Sequence, residues 1–293
     1  MNTLFTKKMN EKELAKTACE LRLLVLESIC SAGSGHPGGS LSCLDFLTYL
    51  YFNELRIDPE APNKPDRDRF VLSKGHAAPA LYAVLAKRGF FGEESLLNLR
   101  RMGSFLQGHP NMKTTPGVEM STGSLGQGVS AACGMALGLK MNAFSSRVFC
   151  LLGDGELEEG QVYEALMFAS HNCLNNLCLV VDNNGLQIDG SIESVAGLCQ
   201  IAEKFKAFGF HVVEIDGHNF SEIGSAIEKF KVNQKSSKPF AIVLKTKKGC
   251  GVSFMENKVE WHGVAPTKEQ YFLAKKELEA AVLKLNENFD ERE

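Results

Sequence analysis

The sequence lacks the features that would set it apart from ordinary globular proteins. No apolar run approaches the ~20 residues that a membrane-spanning helix needs. The start, MNTLFTKKMNEKEL, carries positive charge without the apolar stretch of a secretory signal. Charge of either sign is not in excess: 32 Lys and Arg against 35 Asp and Glu leave a net −3, which argues against a nucleic-acid surface or a polybasic membrane anchor. Any anion held here is therefore held locally. The nine cysteines are odd in number, scattered and never spaced C-x-x-C, so neither a disulfide framework nor a zinc site is indicated. Reduced thiols point to the cytoplasm. Internal repeats, low-complexity tracts and long Gly/Ser linkers are also missing, which favours one domain spanning residues 1–293.

What is present is ample apolar material, 44% of 293 residues, arranged in two alternating periods. Leu14, Ala18, Leu21, Leu24, Val25 and Ile29 recur at helical spacing over Glu11 to Cys30, and the Gly-rich segment Gly33 to Gly39 ends that helix. A second helix is expected from Leu41 to Glu54. After the Pro-rich and charged segment Asp58 to Asp68, strands are expected at Arg69 to Ser73, Arg147 to Leu152, Leu177 to Asp182, His211 to Ile215 and Phe240 to Thr246. Between them lie helices at Ala77 to Arg88, Leu125 to Met141, Glu158 to His171, Val195 to Phe208 and Ser221 to Val232. Short β-branched strands alternating with helices of ten or more residues specify an α/β fold, a doubly wound parallel sheet covered on both faces. Lys268 to Leu285 reads as a C-terminal amphipathic helix, either packed on the sheet or offered to a partner.

Such sheets bind ligands where the strands end. Gly153-Asp154-Gly155 follows one strand, and by itself an Asp-Gly pair there is only a turn. The next strand, however, runs through Val180-Val181-Asp182 into Asn183-Asn184-Gly185, an offset of 184 − 154 = 30 residues. One helix and one returning strand fill that interval and bring Asp154 and Asn184 side by side. A carboxylate, an amide oxygen and a backbone carbonyl suit Mg2+, which takes six oxygens, and phosphate oxygens and water can complete its shell. Gly153 and Gly155 admit a diphosphate close to the backbone, and the following helix start offers it N–H groups.

The run GDGELEEG, about thirty residues, then VVDNNGLQIDG resembles the signature of thiamine diphosphate enzymes. Four further segments are similar to transketolase: Ser34-Gly35-His36-Pro37, Ser73-Lys74-Gly75-His76, Gly108-His109-Pro110 and Thr122-Gly123-Ser124-Leu125-Gly126-Gln127-Gly128. The resemblance runs over nearly the whole chain. It implies Asp154, Asn184 and the Leu186 carbonyl as Mg2+ ligands, and it assigns His76, Gly155 and Asn184 to the cofactor. Gly123, Ser124 and Leu125 match the family loop over the cofactor, where proline often replaces Ser124. Glu159 matches a buried family carboxylate that helps couple the two cofactor sites of a dimer, although an exposed first-turn Glu is also favoured by the helix dipole alone. His36 and His262 are implied to face the acceptor aldehyde and His109 the hydroxyls of the donor sugar, where imidazole can give and take protons near neutrality. His171, His211 and His218 read as structural.

The family's pyrimidine-binding half, with the Glu that activates the cofactor and the arginines for substrate phosphate, has no counterpart here. The resemblance therefore implies an amino-terminal subunit of a split transketolase, completed by a separate C-terminal transketolase subunit in a two-plus-two assembly. Its substrates would be sugar phosphates, with a pentose-phosphate role as the default. The alternatives are the metal-binding chain of a 2-oxo acid dehydrogenase E1, which would lack the paired Gly-His-Pro motifs, and a deoxyxylulose phosphate synthase, which does not normally carry Gly123 to Gly128. A non-catalytic cofactor-binding protein fits poorly with an intact set of site residues.

Overall fold

The computed structural model describes residues 8–197 and 200–290. Its sheet follows from the period-two alternation of buried strands. In β2 (Val148–Gly153), Phe149 and Leu151 join one core, while Val148, Cys150 and Leu152 join another on the opposite face. The same division runs through β3 (Leu177–Asn183) and β7 (Phe240–Lys245). With β1 (Arg69–Leu72) and β6 (His211–Asp216) at the edges, the order is β1-β2-β3-β7-β6 and every pairing is parallel. The expected doubly wound α/β fold is the one observed.

One face is covered by α1 (Glu11–Ala32), α2 (Pro37–Ser42), α3 (Leu44–Tyr49), α4 (Ala78–Lys87) and α9 (Phe220–Asn233). The other is covered by α5 (Gln127–Met141), α6 (Gly160–His171) and α8 (Ile201–Ala207). Helix α1 starts on a capping box, with the Asn10 and Glu13 side chains each bonded to the other's backbone N–H, and stops where Gly33 turns left-handed. Among the described residues no helix is long and apolar enough to cross a membrane.

Four elements differ from the sequence expectation. The single helix over Leu41 to Glu54 is instead α2, a break at Cys43, α3 and a π-helical turn over Leu50–Glu54. Pro37 suits the first turn of a helix, so the helical segment begins four residues early. The helix over Val195 to Phe208 is two pieces, α7 (Ile192–Val195) and α8, with Gln200 left-handed ahead of α8; Leu198 and Cys199 lie outside the described residues. A small antiparallel hairpin, β4 (Leu186–Gln187) and β5 (Gly190–Ser191), follows β3 and carried no strand signal. Helix α10 (Lys268–Asp290) packs against α1 rather than on the sheet, burying Ala274 and Leu278.

At the amino end of the sheet, buried Arg147 bridges Glu54 and Asp68, and Arg56 also holds Asp68. The carboxyl ends of β1, β2, β3 and β7 meet at the opposite edge. The motifs follow those ends directly.

Candidate active site

The β2–β3 register pairs Gly153 with Asp182, which sets Asp154 beside the turn that follows β3. The Asp154 carboxylate is buried and accepts two backbone N–H bonds, from Gly155 at 2.9 Å and from Gly185 at 2.6 Å. Burial, and then the neighbouring Asp182 charge, raise its pKa to about 6. Asn184 accepts from the Leu186 N–H at 3.2 Å, and the Leu186 carbonyl accepts from Lys248 Nζ at 3.0 Å. Asp154, Asn184 and Leu186 are thus gathered on two adjacent strand ends.

Three imidazoles form a cluster beside this turn. The ring centroids of His36 and His76 are 5.4 Å apart, those of His36 and His262 5.6 Å, and those of His76 and His262 5.2 Å. Burial first, then nearby cationic groups, hold His36 at about 4 and His262 at about 3, and push His76 well below the ordinary value. All three are neutral at pH 7. His109 stands apart against the Gly123 loop, its pKa lowered by burial and by Arg100. Gly123 has φ +139°, and a Cβ there would lie 2.9 Å from the His109 ring, so only glycine fits. Ser124 of that loop is exposed and Leu125 half-buried.

Five residues here escaped the sequence reading. Lys74 is fully buried, ion-paired to Asp182, and donates to the Gly39 carbonyl at 2.8 Å. Asp182 also accepts from Ser42 and Thr246, which ties α2 and the end of β7 to β3. Lys248 donates to the Leu186 carbonyl and, at 2.8 Å, to His262 Nδ1; burial, then Lys74, lower its pKa to about 8. Arg100 reaches His36. Glu156 is the buried carboxylate of the GDGELEEG run, accepting from Ser73 and from the backbone of Gly126 and Gly153. Glu159 is exposed in this chain, next to Gly126. The adjacency of Lys74 to His76 and of Asp182 to Asn183 was the available signal, yet neither motif reveals that the two charges pair across 108 residues.

Replacing Lys74 with methionine leaves Asp182 buried with hydroxyl partners but no cation. A loss of about 3–5 kcal/mol is expected, read from urea unfolding, because an uncompensated buried charge is costly. A loss below about 1 kcal/mol would show that the pair does not hold these strand ends together.

Of the three histidines read as structural, His171 and His211 are exposed. His218 bonds Asp45 through Nδ1 at 2.7 Å, and Cys250 lies beside them. That trio resembles a metal-ligand set, but His218 Nε2 accepts the Lys247 N–H at 2.9 Å. The proton must then sit on Nδ1, which donates to Asp45 and has no lone pair for a metal. Both Asp45 oxygens also receive the Arg22 guanidinium, so the group is a hydrogen-bonded strut under the Lys248 loop.

A parallel sheet whose strand ends gather a buried carboxylate, amide and carbonyl oxygens, cationic side chains and neutral imidazoles is a ligand-binding α/β domain equipped for phosphate and proton chemistry. The family profile of the transketolase thiamine diphosphate-binding domain matches residues 13–284, and the chain belongs to that family. A 6-deoxy-6-sulfo-D-fructose transketolase subunit from a Clostridium species is 47% identical over 267 residues, covering 91% of this chain and 96% of the relative. An apulose-4-phosphate transketolase subunit from Phocaeicola vulgatus is 41% identical over 265 residues, covering 90% of this chain and 93% of the relative. Human transketolase is 44% identical over 251 residues, which are 85% of this chain and only 39% of the human protein. The crystal structure of Campylobacter jejuni transketolase superposes with a TM-score of 0.86 at 34% identity, covering 94% of this chain and 46% of that one. The chain thus spans less than half of these single-chain transketolases and nearly all of the two subunits.

Proposed function

We propose that this chain, as a single diphosphate-binding domain, is one subunit of a two-chain transketolase. It would use thiamine diphosphate and Mg2+ to move a two-carbon ketol unit from a ketose phosphate to an aldose phosphate. The carrying observation is the juxtaposition of Asp154, Asn184 and the Leu186 carbonyl with the His36, His76 and His262 cluster. Two relatives of matching length named as transketolase subunits support a separate C-terminal partner. Exposed Met167 and Phe168 on α6 are apolar surface of the kind that such a partner covers.

The residues fit a metal-bound diphosphate. The donors are all oxygen, as Mg2+ prefers, and among the described residues no lysine or arginine is ion-paired to buried Asp154. Asp154, Asn184 and Leu186 would hold the metal, while His76, Gly155 and the Gly123–Leu125 loop would hold the cofactor. Thiamine diphosphate supplies a carbon nucleophile that carries the two-carbon unit from donor to acceptor. His36 and His262, neutral in this site, would bond the sugar oxygen whose charge changes as the carbon–carbon bond breaks and re-forms. His109 would orient the donor hydroxyls, and Glu159, exposed here, would meet the partner assembly.

The test is ketol transfer from xylulose 5-phosphate to ribose 5-phosphate, with this chain alone, with a C-terminal transketolase chain alone, and with both mixed. Activity is expected only in the mixture. Full activity of this chain by itself would overturn the two-chain reading. Because the 47% identical relative is named for a sulfo-sugar, 6-deoxy-6-sulfo-D-fructose belongs in the assay as a second donor.

A further inference from the structure

Arg100 stands in an unusual backbone position and spends its side chain on the site. Its φ is +59°, a left-handed conformation that is unfavourable for a non-glycine residue, and its N–H is tied to the Leu106 carbonyl at 2.8 Å. From there the guanidinium donates to Ser34 Oγ at 2.8 Å and meets His36 Nδ1 at 3.2 Å. Its Nε is buried and, among the described residues, has no hydrogen-bond partner. The guanidinium also lies against Gly108, where a Cβ would come within 3.0–3.2 Å of it. Three separate segments, 34–36, 100 and 108–109, converge on this one contact.

A guanidinium has five donors and no acceptor, and it does not lose its proton. The nitrogen it meets must offer a lone pair, so Nδ1 of His36 is unprotonated and the ring proton sits on Nε2. Gly263 lies beside that Nε2, where a Cβ would stand in van der Waals contact at 3.5 Å, and among the described residues no hydrogen bond occupies Nε2.

We propose that Arg100 is a positioning residue that fixes His36 in its Nε2–H form, so that this histidine meets the sugar only as a hydrogen-bond donor. The consequence for the reaction rests on the transketolase reading above; the tautomer does not. A donor-only His36 stabilises negative charge on a substrate oxygen and cannot remove a proton from a hydroxyl. Base work then falls to other groups. The ring is faced by Arg100, His109, Lys248 and the imidazoles of His76 and His262, and burial together with Arg100 opposes a second proton on it.

The experiment is long-range proton–nitrogen NMR on the full chain with labelled histidine, His36 being assigned by its loss in His36→Gln. At pH 7 the His36 signals should be those of the Nε2–H tautomer. In Arg100→Lys, which keeps a donor, the tautomer should persist. In Arg100→Met the pattern should move toward a mixture of tautomers, and the His36 pKa should rise by about one unit, the usual spread of environmental shifts. An Nδ1–H ring in the wild type, or spectra unchanged in Arg100→Met, would overturn the proposal. In the completed two-chain enzyme, Arg100→Met should lower kcat by about 10–100-fold, the size of loss known for removing the partner that orients a metal-bound histidine. Thiamine diphosphate affinity should stay unchanged, with partial recovery in Arg100→Lys. A wild-type kcat in Arg100→Met would show that the tautomer is irrelevant to turnover. Because the NMR needs neither sugar nor partner, it decides the contact even if the transfer assay fails.

Discussion

Asp154→Ala is expected to weaken thiamine diphosphate binding in the presence of Mg2+ by more than about 10²-fold, since outer-shell partners of a metal alone are worth 10–100-fold. The carboxylate is the one negative side chain of the oxygen set formed with Asn184 and the Leu186 carbonyl, and in the proposed Mg2+ site its loss would remove the charge bridge to the diphosphate. Asp154→Asn keeps the shape and should retain part of the hydrogen bonding without the charge. Alanine also strips the N–H groups of half-buried Gly155 and exposed Gly185 of their acceptor, at about 1 kcal/mol per hydrogen bond lost. Melting curves should therefore precede the binding measurement. Calorimetry on the folded variant then decides, and an affinity equal to wild type with Mg2+ present would remove Asp154 from the metal site.

The second large effect is on turnover. In the completed enzyme, His109→Ala and His262→Ala should each lower kcat by about 10²–10⁴-fold if these rings manage protons or developing charge. Cofactor affinity should change little, because the groups proposed to hold the metal and diphosphate are untouched. The two variants differ in side effects. Loss of the His262 ring leaves Lys248 bonded to the Leu186 carbonyl alone, whereas loss of the His109 ring opens space against Gly123. Wild-type turnover in both, measured at saturating sugar, would return these histidines to a packing role.

The main sheet was legible because buried parallel strands are continuous apolar runs and their helices keep a clear period. Helix α1 could be read from Leu14, Ala18, Leu21 and Val25, whose spacing alone specifies a buried face. The break at Cys43 was not legible, because apolar residues continue through it and nothing in their order marks the change of helix. The hairpin β4–β5 was missed for a different reason. Two-residue strands carry too short a period to register, and this hairpin pairs only Leu186 with Ser191 and Gln187 with Gly190.

Sequence by itself determined the α/β alternation, the family motifs and the candidates Asp154, Asn184, His36, His76, His109 and His262, since each depends on residue type and local spacing. Tertiary structure alone decided which charges pair and which ring nitrogens are free. Lys74 meets Asp182, Lys248 meets His262 and the Leu186 carbonyl, and Arg100 meets Ser34 and His36. The physical reason is that a proton's location is set by the atoms within about 3 Å of it. Here those atoms come from segments 14 to 108 residues apart, joined only when four parallel strands end at one edge.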